Sequence, residues 1–464
     1  MTRKNMAAAL ALVALLAGTA VAADPAPTKT APLMKDFMGL NTHTVQFEPK
    51  LYRPVCRLAR DYHPVGWDLY AEDRVDTSVD TTFPMSRHDI TWEDTTGKVG
   101  THKGLVDWKK VYGRWIAGGF EVDACIQFGD LTVDKWKDVE ADAYQYGKAF
   151  AKYFGPSGEA LVTSAEIGNE PAGMNKFTPD QYLRIFTSMA RGLREGDPKL
   201  KILTATTQAG RADGWSMPTE IFAPHRDLYD VLNVHIYSFV EGTRRRSFPE
   251  DPSIEYLKIV KRTMDWRDAN APEKELWITE FGYDASTQTP TTNPANWIDV
   301  SDEVQAQWLV RSFLEFARMG VQRAYLYFWN DADEPAFHAA SGIMRNNEPK
   351  MSFWALKQMQ DMLGEYRFSR AIKQDAGELY VYEFVNGTNP KDVVWVAWLP
   401  TGATDTAGTN PSREVTLEVP AKPASAEAMA TADGAPKAAQ FEYADGKITI
   451  TVSEAPTYLK MKLE

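Results

Sequence analysis

The sequence is short of the residues that bind metals and cross-link chains. Its 464 residues hold 2 cysteines and 7 histidines. No CxxC pair and no Cys/His cluster with zinc spacing occurs, so no structural zinc site is expected. Cys56 and Cys125 sit in apolar, strand-like runs and read as two buried thiols rather than a disulfide. No Gly-rich phosphate fingerprint follows an apolar run, which counts against a nucleotide-binding open sheet. Past the N-terminus, no apolar run is long enough to span a bilayer. Positive charge is not in excess either. The formal net charge is −12, which argues against nucleic acid or an anionic membrane as partner.

What is present begins with a leader. Arg3 and Lys4 precede an apolar stretch, residues 7–20, followed by Ala20, Val21, Ala22 and Ala23. This is the pattern of a secretory signal peptide over residues 1–23, and it predicts a secreted or periplasmic protein. Its removal takes the net charge from −12 to −14. Residues 24–33 are Pro-rich and read as a disordered leader. Apolar residues make up 44% of the chain, enough for a large core. Its 14 tryptophans suit stacking on sugar rings as well as packing.

From there, apolar strands and amphipathic helices alternate. Strands are expected at 36–41, 54–62, 121–128, 161–169, 200–208, 231–237, 275–281 and 322–329. Helices are expected at 108–117, 141–154, 179–195, 254–270 and 304–319. Thr178-Pro179-Asp180-Gln181 is a helix start, with Thr as the cap and Pro in the first turn. Eight such strands predict a (β/α)8 barrel over residues 34–364. A doubly wound open sheet is the competing fold. After an amphipathic last helix at 354–363 the apolar period changes to two. Strands at 378–385, 393–399, 414–419 and 447–452 predict a β-sandwich accessory domain over residues 365–464.

In a (β/α)8 barrel, functional groups gather at the carboxyl ends of the strands. There the sequence places Asn41 and His43, then Arg60 and His63, then Asn169-Glu170-Pro171 closing strand four. Strand six carries Asn233, His235 and Tyr237 at period two, strand seven ends in Glu280, and strand eight reaches Trp329. Two carboxylates at the ends of two parallel strands are what glycosidic bond cleavage needs.

These strand ends, taken in order, resemble clan A of the retaining glycoside hydrolases. The trailing β-domain is most similar to the family of β-xylosidases and α-iduronidases, family 39, with some features of agarases. The resemblance implies a poly- or oligosaccharide with β-linked sugars as substrate and no cofactor. It implies Glu170 as the acid/base and Glu280 as the nucleophile. On chemical grounds Arg60 and Tyr237 would then hold Glu280 ionised. Asn169 would bond the sugar 2-hydroxyl, and Trp329 would form the floor under the sugar. His235 reads as an orienter or a proton shuttle, and His43 and His63 as substrate contacts or rim residues. Glu166 reads as an ion-pair partner inside the barrel. Trp67, Trp92 and Trp297 could be sugar platforms or packing. Arg244-Arg245-Arg246 could be a solvated run or a site for an anionic sugar group.

Two other classes compete. A metal-dependent barrel hydrolase would need His-x-His on strand one, where the chain has Asn41-Thr42-His43. A carbohydrate-binding barrel without catalysis would keep the aromatics and lose one of the two glutamates, and both are present.

Overall fold

The computed structural model describes residues 29–43, 46–69, 75–77, 83, 85–93, 99–173, 176–210, 213–288 and 297–464. The expected signal peptide and most of the leader lie outside these. Eight parallel strands close into a barrel: β1 Met38–Thr42, β2 Leu58–Pro64, β3 Glu121–Gln127, β4 Ser164–Ile167, β5 Lys201–Gln208, β6 Val231–His235, β7 Glu275–Phe281 and β8 Arg323–Leu326. Each pairs with its neighbours in chain order. β8 returns to β1, and β4 pairs with β5 to close the ring. The (β/α)8 expectation holds and the open sheet does not.

The helices lie where the apolar period puts them: α1 Trp108–Ala117, α2 Val139–Phe154, α3 Pro179–Gly196, α4 Tyr256–Asn270, α5 Asp302–Met319 and α6 Met351–Leu363. Thr178 and Gln181 form the reciprocal capping box at the start of α3. α2 begins earlier than expected because the Asp138 side chain caps it, accepting from the Ala141 N–H. The long connection from β2 to α1 holds a hairpin, Met85–Glu93 against Val99–Asp107, that the sequence reading missed. Neither strand of that hairpin has an apolar face to give it away.

The barrel interior is layered. Leu58, Leu203, Val231, Trp277 and Tyr325 form an apolar plug at the amino ends of the strands. Gly39 makes room for it, since a Cβ there would fall 2.5 Å from the Tyr325 ring. Above the plug the inward positions turn polar.

Eight antiparallel strands and a two-residue ninth, Lys437–Ala438, follow the barrel: β9 Tyr366–Asp375, β10 Leu379–Asn386, β11 Asp392–Trp398, β12 Ser412–Glu418, β13 Ser425–Ala428, β14 Phe441–Ala444, β15 Lys447–Ser453 and β16 Thr457–Lys462. The larger sheet runs β9-β10-β11-β16-β13, ending on Lys437–Ala438, and faces a three-stranded sheet, β12-β15-β14. Period two explains how they pack. Val381, Val393, Trp395 and Ala397 enter the core between the two sheets. The alternate residues Tyr382, Val394, Val396 and Trp398 join the barrel's own core. β10 and β11, in the middle of the larger sheet, are thus buried on both faces.

One buried ion pair ties the two parts together. Arg311 of α5 donates through Nε to Glu250 Oε1 at 2.9 Å and through Nη1 to the Thr401 carbonyl at 2.9 Å. Trp398 Nε1–H donates to the same Glu250 oxygen at 2.7 Å. Arg311→Ala would strand the Glu250 charge. It should lower unfolding stability by about 3–5 kcal/mol in urea titrations; a loss under about 1 kcal/mol would show the pair carries little.

Candidate active site

The site is organised by one guanidinium. Arg60 lies fully buried inside the barrel on β2. An arginine has five N–H donors, and here each has an acceptor. Nε and Nη2 hold Glu166 at 2.8 and 2.7 Å. Nη2 also donates to Asn169 Oδ1 at 2.7 Å. Nη1 donates to Asn41 Oδ1 at 2.7 Å and to Glu280 Oε1 at 2.9 Å. Strands β1, β2, β4 and β7 thus meet at a single cation.

Glu280 reaches the interior through an irregularity. Trp277 points into the barrel, so strict alternation would send Glu280 outward with Ile278. The register of β7 shifts between Ile278 and Glu280 against β6, and again between Ile278 and Phe281 against β8. This bulge turns Glu280 inward beside Thr279. Its carboxylate accepts from Tyr62 OH at 2.7 Å and from Tyr237 OH at 3.1 Å. Burial opposes its charge, but His235, Arg60 and the Tyr62 hydrogen bond outweigh that and hold it at about 2. The same burial, followed by the charge on Glu280, pushes the Tyr62 hydroxyl well up, so it stays a donor.

Glu170 follows Gly168, whose φ of +85° turns the chain at the end of β4. A Cβ at Gly168 would also crowd Phe128 at 3.0 Å. Glu170 Oε1 lies 3.0 Å from His235 Nδ1, and the other ring nitrogen lies 3.0 Å from Thr279 Oγ1. His235 Nδ1 is also 3.6 Å from Glu280 Oε2. Burial lowers the imidazole's pKa, but Glu280 and Glu170 overcome it and raise it. One atom each of Glu170, His235 and Glu280 lie within 4.8 Å of one another. Among the described residues this is the one cluster with metal-like ligand types. Both His235 nitrogens are engaged and Glu280 already accepts from Arg60 and Tyr62, so the donor set suits protons better than a zinc ion.

Asn41, Arg60, Glu166, Asn169, Glu170, His235, Tyr237 and Glu280 therefore converge, and Arg60, not Arg57, is the arginine at the site. His43 stands at the rim, with its ring 5.6 Å from that of Tyr62. Two expectations need correction. His63 faces outward, buried against Trp108 at 4.0 Å and bonded to Tyr112 OH and Asp68 at 2.9 and 2.8 Å. Alternation from Arg60 puts Tyr62 inside and His63 outside, and the same rule would have found Tyr62. Trp329 is not a floor. β8 ends at Leu326, and Trp329 turns away to pack edge-on to Phe47 and Tyr52 at 6.2 and 5.8 Å. Tyr327, half-buried, is instead near enough to Glu280 to feel its charge. His338, also unforeseen, lies 4.4 Å from the Tyr237 ring. Its burial, then Arg246, hold it down at about 4.

The arginine triplet separates. Arg246 is buried, 3.9 Å from the Phe239 ring and 3.4 Å from Asp284 Oδ2. Arg245 pairs with Asp405 of the β-domain at 2.8 Å. Arg244 alone is exposed. Cys56 and Cys125 are both free and buried. The side chains of Trp92 and Trp297 fall outside the described set. Asn169 and Glu170 line a cleft of about 550 Å³, whose walls also include Trp67, Gln127, Phe128, Lys176 and Trp215.

No protein-family model and no curated protein matches the sequence. Solved structures share the fold. A family 39 glycoside hydrolase from Bacteroides cellulosilyticus WH2 matches with TM-score 0.64 at 15% identity, over 92% of this chain and 80% of that one. A GH30 endoxylanase from Clostridium papyrosolvens C71 matches with TM-score 0.56 at 15% identity, over 94% and 98%. The family 51 α-L-arabinofuranosidase AbfB from Bifidobacterium longum matches with TM-score 0.58 at 13% identity, over 93% and 97%. The architecture is that of these glycoside hydrolases.

Since Glu280 is depressed from 4.5 to about 2, its charge stabilises the fold above the ordinary value and is lost as pH falls toward 2. Tyr62→Phe removes one donor to the carboxylate and should move the midpoint upward by about one pH unit. Carbon NMR of the labelled Glu280 carboxyl reads it; a wild-type midpoint at or above 4.5 contradicts the geometry.

Proposed function

We propose that the protein is a retaining glycoside hydrolase of β-linked oligo- or polysaccharides, with Glu280 as nucleophile and Glu170 as acid/base. The observation that carries this is the proximity of the two carboxylates through His235, all within 4.8 Å at their nearest atoms. Retaining pairs stand about 5–5.5 Å apart, while inverting pairs need about 6.5–9.5 Å to admit a water. The two glutamates also have unlike surroundings, which suits unlike roles. Glu280 is buried among three donors and ionised. Glu170 is one-quarter exposed and lines the cleft, with His235 beside it. The fold likeness to structures described as an endoxylanase, a glucosidase and arabinofuranosidases supports O-glycosidic chemistry.

The reaction follows from those positions. Glu280 attacks the anomeric carbon, and the bond to the leaving oxygen breaks as Glu170 gives that oxygen its proton. The sugar is then esterified to Glu280, which removes the charge facing Glu170. Glu170 takes a proton from a water, the water oxygen attacks the anomeric carbon, and Glu280 leaves as a carboxylate. Tyr62, Tyr237 and Arg60 receive that returning charge. Asn169, whose Oδ1 accepts from Arg60 at 2.7 Å, is assigned to bond the sugar 2-hydroxyl. The N-terminal pattern supports action outside the cytoplasm, where polysaccharides are met.

Glu280→Ala should lower kcat by about 10⁴-fold or more, and azide should restore turnover by taking the nucleophile's place. Glu170→Ala should cost about 10²–10⁴-fold, least on substrates with activated leaving groups. Proton NMR of the first product must show retained β configuration. An α product would point to inversion.

A further inference from the structure

Trp67 and Trp215 take no part in the two-carboxylate chemistry, yet both line the cleft that Glu170 also lines. Trp215 is 47% exposed, unusual for so large an apolar side chain. Its ring rests on Gly173, where a Cβ would come within 2.5 Å of it. A small residue has been placed under the ring, and the rest of the ring is left open. Trp67 is half-buried and steadied by Trp108, with rings 6.4 Å apart and 20° from parallel. The rest of the lining is mixed. Pro64, Phe128 and Pro171 are apolar, Gln127 is polar, and Lys176 is balanced by Asp130 at 2.8 Å. Flat apolar faces with scattered hydrogen-bonding groups and little net charge suit a neutral sugar chain.

The cleft has a direction. Glu170 and Asn169 line it, and Glu280 does not. On the two-carboxylate reading, on which this rests, Glu170 protonates the oxygen of the departing group. Asn169 belongs to the junction with the reacting sugar, and a cleft lined by the acid and not by the nucleophile takes the leaving group. We infer that the Trp67–Trp215 cleft is a leaving-group site for a neutral oligosaccharide of more than one sugar, with Trp215 as its stacking platform. A volume of 550 Å³ sits well inside the range of about 300–1,000 Å³ for small-molecule sites and exceeds the size of one hexose. The enzyme is thus built to cut bonds with further sugars on the reducing side, not only to release a sugar from a small aglycone.

The test compares kcat/KM for aryl β-glycosides and for cello-, xylo- and laminari-oligosaccharides, from di- to hexasaccharide. In Trp215→Ala, the ratio of oligosaccharide to aryl-glycoside kcat/KM should fall about tenfold. The loss should grow with chain length on the reducing side, and Trp215→Phe should restore most of it. A loss equal for all substrates, or none, overturns the assignment. If wild type hydrolyses none of them, the two-carboxylate reading has failed, but the cleft can still be judged. Tryptophan fluorescence of Glu280→Gln titrated with the same oligosaccharides should show saturable binding that Trp215→Ala abolishes. Absence of binding, or binding indifferent to Trp215, overturns the site.

Discussion

The structure depends on keeping one positive charge inside a barrel. A guanidinium removed from water is tolerated only with full hydrogen bonding and a compensating charge. Arg60 has both, in Glu166 below and Glu280 above. The two carboxylates differ in kind. Glu166 binds two-pronged and is itself buried, so it settles most of the arginine's charge. Glu280 shares only one N–H with it and is left with one oxygen facing Tyr237 and His235. The clamp therefore fixes Arg60 through one acid while presenting the other for chemistry.

Everything around this layer serves to aim it. The apolar plug of Trp277, Tyr325 and their neighbours seals the barrel beneath and excludes water from that side. The bulge in β7 puts two successive residues, Thr279 and Glu280, into the interior, where a regular strand would give one. Thr279 uses the position to meet His235 and Asn233, and its carbonyl accepts from Asn41 at 2.7 Å. His235 is thereby oriented by a neutral group on one side and touches Glu170 on the other. The β-domain contributes at a distance. Through Arg245 and Asp405 it holds the segment that carries Arg246 and Phe239, which flank Tyr237.

The sequence was most informative where one period ran unbroken. Helices α1 to α5 are read within a few residues because caps and apolar stripes agree. Asn233, His235 and Tyr237 share a face as period two requires. Errors arose where a local rule was dropped or overridden. The expectation of His63 beside Arg60 fails because three positions along a strand reverse the face. Trp329 misses the site because β8 ends at Leu326. The bulge at Thr279 has no signature in Leu276-Trp277-Ile278-Thr279-Glu280, so Glu280's place at the strand end is legible in the sequence and its inward turn is not. His338 comes from a loop after β8 with φ of +61°, a placement that no periodic pattern encodes.

Trapping the sugar ester tests the central claim most directly. Activated 2-deoxy-2-fluoro-β-glycosides slow breakdown of the ester more than its formation, so the intermediate accumulates and can be weighed. The account predicts one sugar per chain, attached within the β7 peptide at Glu280, with Tyr62→Phe slowing its formation. A label on Glu170, or steady turnover of β-glycosides with no ester formed on any carboxylate, would contradict it.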